Sequence, residues 1–195
     1  MEAKTIKDFL LAALEHERGG VQIYETAVQC AQNEELKEEW TKYLEETEVH
    51  VQLLQDACLQ LHLDPEEQTP MRRIVHDMGA SLVAAMKAAQ GAGDKAKAEI
   101  VAAECVTLAE MKCQSNWELI GQCADKMAPA EGNVLKAAYA EASEQENEHF
   151  FHSKGWMREL TLQSLGLKAM IPPPEERKDV KTPVGAARVE ASRLK

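Results

Sequence analysis

Extended runs of Val, Ile, Thr and aromatic residues are missing from this sequence, so strands are not expected. Long apolar runs are missing too: no window holds the ~18 or more uninterrupted residues that a membrane span needs. Met1–Asp8 is charged and the apolar run after it is amphipathic, so no secretory leader is visible. Cysteines at CxxC spacing are absent. The five that exist, Cys30, Cys58, Cys105, Cys113 and Cys123, are scattered and odd in number, which excludes a disulfide framework and points to reduced thiols in a cytoplasmic protein. Cys113 and Cys123 read as small buried hydrophobes. Turn formers are scarce, with ten Gly and seven Pro, and four of the prolines fall after residue 171. Positive charge is short in the body. Residues 172–195 hold six Lys/Arg against four Asp/Glu, a net of +2, so a chain of net charge −11 leaves −13 on the rest. Such a body repels nucleic acid and anionic membranes and is compatible with attracting cations.

What is present is helical vocabulary. The first 170 residues are rich in Ala, Leu, Glu, Lys and Gln. At 195 residues and 45% hydrophobic, the chain can fill one sizeable core, with too little length for two comfortable domains. Thr5 and Asp8 resemble a capping box ahead of a helix to about Ala31. After Asn33 a second helix is expected over about 34–62. Thr69-Pro70 suits the start of a shorter helix over about 70–90, closed by Gly91–Asp94. Two more long helices are expected over about 95–127 and 133–165, with a turn at Pro129–Gly132 and a C-cap at Gly166. Two antiparallel hairpins joined by a crossover of about thirty residues make an all-α, ferritin-like four-helix bundle. Its expected span is 1–168, followed by a Pro-containing, charged C-terminal arm over 169–195 whose only periodicity is at Val184–Leu194.

Polar residues interrupt the apolar stripes in register. Glu17 falls between Leu14 and Val21. Glu46 and His50, four apart, share a face with Tyr43 and Leu54. Glu110 lies between Val106 and Cys113, and Glu146 and His149 lie between Ala142 and Phe150. Burying one unpaired carboxylate costs several kcal/mol, and four together require cations. Two divalent ions would neutralise them, with the two imidazoles completing the shells. Glu and His donors with open positions suit iron or manganese, and less specifically zinc. A Glu from each of two helices and a Glu/His pair from the other two is the recipe of ferritin-like di-metal proteins. The halves also repeat: Tyr24 follows Glu17 by seven residues, and Trp117 follows Glu110 by seven.

One position departs from that recipe. Glu-x-x-His in the second helix needs an acid at 47, where Thr47 stands, so Glu46 is the expected substitute and bridging ligand together with Glu146, leaving Glu17 and Glu110 as terminal ones. Glu48 points more outward, and Glu104 and Glu144 are neighbouring acids. His16, His62, His76 and His152 lack acidic partners on an inward face and read as surface or supporting residues. Trp40 and Trp156 read as core or interface anchors.

The segment from Glu35-Leu36 through Leu44-Glu45-Glu46-Thr47-Glu48-Val49-His50-Val51-Gln52-Leu53-Leu54 resembles the YciE/YciF-type ferritin-like family, in which an acid in the first helix precedes such a stretch. Glu17 falls at that acid's place, and Glu110 matches the third-helix acid. The likeness covers residues 6–62 well and 95–165 loosely, and Glu146–Leu160 and the tail depart from it. It implies a bundle, commonly dimeric, with a di-metal site and a stress-related role. The expected activity is Fe(II) oxidation or peroxide removal, with dioxygen or peroxide and metal ions as partners of a homodimer. The rival expectations are a metal-free helical dimer serving as a stress or scaffold protein, and a carrier for a small apolar ligand.

Overall fold

A computed structural model describes residues 3–171 and 173–174. Five helices account for nearly all of them: α1 Ala3–Cys30, α2 Glu34–Gln60, α3 Pro70–Gly91, α4 Lys95–Ala124 and α5 Pro129–Ser164. Among the described residues there is no strand, so the protein is all-α. None of these helices is long and apolar enough to cross a membrane.

The helix starts follow local chemistry. Asn33 accepts a hydrogen bond from the Leu36 amide at 3.1 Å and caps α2. Thr69 does the same for Arg72 at 3.1 Å, with Pro70 in the first turn where its missing N–H costs nothing. Asp94 caps α4 through the Lys97 amide. Two expectations are corrected. Thr5 lies inside α1, so the Thr5/Asp8 pair is not its cap. Residues 129–132 are the first turn of α5 and not a separate turn, because the fixed φ of Pro129 suits that place. Gly132 makes the corner passable: a Cβ there would lie 2.5 Å from the Ala124 carbonyl oxygen.

The chain divides into two compact units, Met1–Met157 and Arg158–Lys195. In the first, one end is an apolar cluster. Leu10, Leu11 and Leu14 of early α1 meet Leu54 and Cys58 of late α2, Ile120 and Ala124 of late α4, and Leu135 and Ala142 of early α5. Burial of each such leucine stabilises the fold by roughly 2 kcal/mol. Because early stretches of α1 and α5 meet late stretches of α2 and α4, each hairpin is antiparallel. The connecting helix α3 packs against α1 and α4. Gly19 and Gly79 let α1 and α3 approach backbone to backbone, and the buried Arg72 guanidinium is matched by Glu15 at 2.7 Å and by the Pro65 and Glu67 carbonyls. In the second unit the end of α5 closes at Gly166 in the left-handed region (φ +69°), with the Leu167 amide returning to the Leu162 carbonyl at 2.9 Å, the expected glycine C-cap. The expected arm periodicity at Val184–Leu194 lies outside the described residues.

Candidate metal centre

Beyond the apolar cluster, four helices each turn ionisable groups into the interior of the first unit. Glu17 (α1), His50 (α2), Glu110 (α4), and Glu146 and His149 (α5) are all at most 3% exposed. Six side-chain atoms on these residues are buried without a hydrogen-bond partner: Glu17 Oε2, His50 Nδ1, Glu110 Oε2, both Glu146 oxygens and His149 Nδ1. Buried polar atoms are nearly always paired, so this concentration in one place needs an explanation. His50 Nδ1 is 2.7 Å from Glu146 Oε1, yet the two are not aligned as donor and acceptor. His149 Nδ1 is 3.8 Å from Glu110 Oε2. Two sets of ligand-type atoms lie within 4.8 Å of one another: His50, Glu146 and His149, and Glu17, Cys113 and Glu146. Glu146 belongs to both.

The outer ring nitrogens are tied down by one network. Glu46 Oε2 is 2.8 Å from His149 Nε2, and Glu46 Oε1 accepts from the Gln145 amide nitrogen at 3.3 Å. With its nitrogen facing a carboxylate, Gln145 presents its oxygen to His50 Nε2 at 2.8 Å. Both imidazoles therefore donate outward through Nε2 and turn Nδ1 into the cluster, where it holds either an extra proton or a lone pair. Outer carboxylates orient metal-binding histidines in the same way.

Electrostatics make the interior a store of protons. Burial, with the charge of Glu146, pushes Glu17 up to about 8, against the opposing pull of His50, Cys113 and Trp117. Burial and the neighbouring Glu146 and Glu17 carry Glu110 well above the carboxylate range. For His50, burial opposes the charged form, but Glu146 and Glu17 outweigh it and raise it to about 9. Burial holds His149 down to about 4, despite Glu146. At neutral pH the metal-free centre thus keeps protons on Glu17, Glu110 and His50 and leaves His149 neutral.

The aromatics two turns on are supports as well as packing. Trp117 donates its indole N–H to Glu17 Oε1 at 2.9 Å, across from α4 to α1. Tyr24, from α1, faces Glu110 on α4; the carboxylate adds to burial in raising the phenol well above its usual range, but no aligned hydrogen bond forms. Tyr43 lies against His149 with ring centroids 4.1 Å apart and planes tilted by 38°, and donates to Glu39 at 2.6 Å.

Of the six candidate ligands, Glu17, His50, Glu110, Glu146 and His149 come together. Glu46 stands apart, half-buried behind His149 with both oxygens engaged. Thr47 faces inward, and its hydroxyl returns to the Tyr43 carbonyl at 2.7 Å. Glu48, Glu104 and Glu144 are exposed. Cys113 is buried in the apolar cluster, as expected, and in addition gives its thiol to Glu17 Oε1 at 2.7 Å. One expectation is corrected: His16 is not at the surface but buried on the Ala109 carbonyl at 2.9 Å, and burial holds it neutral, down to about 4. His76 and His152 lie at the surface, as expected, each beside a carboxylate there, Glu15 and Glu39. Cys113 was signalled by its place three residues after Glu110, the interval that separates Glu146 from His149. Gln145 carried no such signal, since it lies beside the stripe and not on it.

No family model, curated protein or solved structure matches the chain.

Proposed function

We propose that the chain is a ferritin-like four-helix bundle, α1–α2 and α4–α5 with α3 in the crossover, that binds two iron or manganese ions and oxidises Fe(II) or removes peroxide. The YciE/YciF-type resemblance supplies the prior, with a homodimer and a stress-related role as its corollaries. The observation that carries the reading is the set of six buried ligand atoms from four helices that make no aligned hydrogen bond. Carboxylate and imidazole donors of this kind fit divalent transition ions. His50, Glu146 and His149 would hold one ion, and Glu17 and Glu110 add carboxylates for its neighbour. Bound ions of this type supply redox and Lewis-acid chemistry. The chain's own residues orient the imidazoles through Glu46 and Gln145, exclude water, and give up protons from Glu17, Glu110 and His50 as ions enter.

The raised Glu17 and Glu110 also favour a rival, a metal-free scaffold whose inward acids stay neutral. Elemental analysis of anaerobically purified protein separates the two. Two ions per wild-type chain, and none in the Glu17→Ala, Glu146→Ala double variant, are expected. Equal metal content in both proteins, or only traces in the wild type, would reject the metal reading.

A further inference from the structure

We infer that the second ion position is a thiolate site: Glu17, Cys113 and Glu146 together hold a thiophilic divalent cation of the zinc, iron or cobalt kind, beside the position built from His50, Glu146 and His149. The inference rests on the metal-binding reading above and fixes which donors and which ions it involves.

Cys113 is 3% exposed and lies one turn beyond Glu110 on α4. It belongs to the apolar cluster, but its sulfur also contacts Glu17 Oε1, and one atom from each of Glu17, Cys113 and Glu146 falls within 4.8 Å of the other two. Glu17 Oε2 and Glu146 Oε2 are buried with no partner, and Glu146 Oε1 meets only His50 Nδ1, at 2.7 Å and without an aligned hydrogen bond. The arrangement also answers the gap in α2. Thr47 gives the interior no carboxylate where α5 gives Glu146, and Glu46 is engaged elsewhere. Cys113 provides the missing third anionic donor.

On binding, the S–H proton of Cys113 leaves to solvent and a metal–sulfur bond takes its place. Sulfur then discriminates. Thiolate favours zinc, cobalt and iron over manganese, magnesium and calcium, which prefer oxygen. Manganese is thereby confined to the histidine position.

Cobalt(II) titration of the full chain is the test. Wild-type protein is expected to take two ions per chain and to develop a near-ultraviolet thiolate-to-cobalt charge-transfer band. Cys113→Ser, with its fold checked by circular dichroism, is expected to lose the band and keep one ion. X-ray absorption at the zinc edge needs no variant and is expected to show a sulfur neighbour at about 2.3 Å. Two bound ions with only nitrogen and oxygen neighbours, or a band that survives in Cys113→Ser, would overturn the thiolate site and leave the metal reading standing. A wild-type chain that binds no cobalt would overturn both.

Discussion

Glu17 and Glu110 occupy corresponding places in the hairpins α1–α2 and α4–α5, each seven residues ahead of an aromatic, and each aromatic serves the carboxylate of the other hairpin. Trp117 reaches Glu17 with an aligned bond, whereas Tyr24 faces Glu110 without one. The second members of the hairpins diverge further. Where α5 places Glu146, α2 places Thr47, and the one carboxylate is shared by both sets of ligand atoms. The histidines diverge as well. His50 lies against Glu146 and feels Glu17, so it is drawn toward the charged form. His149 lies 3.8 Å from Glu110 and 2.8 Å from the outer Glu46, and burial holds it down to about 4. A repeat in sequence has become an asymmetric centre, with two unlike positions about one shared carboxylate.

The comparison breaks most sharply at Glu146. Glu146→Ala should weaken both ions more than 100-fold in calorimetric titration, beyond the roughly 10–100-fold cost of an outer partner; loss of a single ion would mean that the carboxylate is not shared. Glu46→Ala comes next. It should cost about 10–100-fold at the histidine position, and Gln145→Leu should disturb only the His50 side. Unchanged affinity in both would dissolve the orienting network.

The pH dependence of the metal-free protein follows from the same contrast. Glu17 and His50 have raised values, so their stability contributions are present below the unfolded values and are lost as pH rises through about 8 and about 9. His149 and His16 have depressed values, so theirs are present above the unfolded value and are lost as pH falls toward about 4. Thermal melts should show Tm falling by on the order of 5 °C between pH 7 and 9.5, and added zinc should reverse the fall. An alkaline limb unaffected by zinc would detach these protons from the centre. The smallest effect separates the aromatics. Trp117→Phe should cost about 1 kcal/mol in denaturant unfolding, and Tyr24→Phe nothing or a slight gain, since no bond is lost. Equal costs would show that the two hairpins support their carboxylates alike.

Much of this organisation is legible along the chain. The caps at Asn33, Thr69 and Asp94 act through neighbours three residues away, so their chemistry is contained in a short stretch of sequence. The inward set Glu17, His50, Glu110, Glu146 and His149 is likewise marked by helical period, because each breaks an apolar stripe. Period fails at Glu46, where one residue of rotation moves a carboxylate from the interior to the flank of His149. It fails also at Cys113, whose residue type fits an apolar core as well as a polar one.

The sequence by itself determined the helices, their approximate limits, the antiparallel pairing that short turns impose, and a polar band across four faces, since these depend on propensity and on residues close along the chain. Only tertiary structure decided which oxygen meets which nitrogen: that Trp117 crosses to Glu17, that Gln145 links Glu46 to His50, and that the Cys113 thiol faces a carboxylate. Those pairings join residues about a hundred positions apart, separated by 100, 99, 95 and 96 in turn. They depend on the rotation and axial offset of packed helices, which no local pattern encodes.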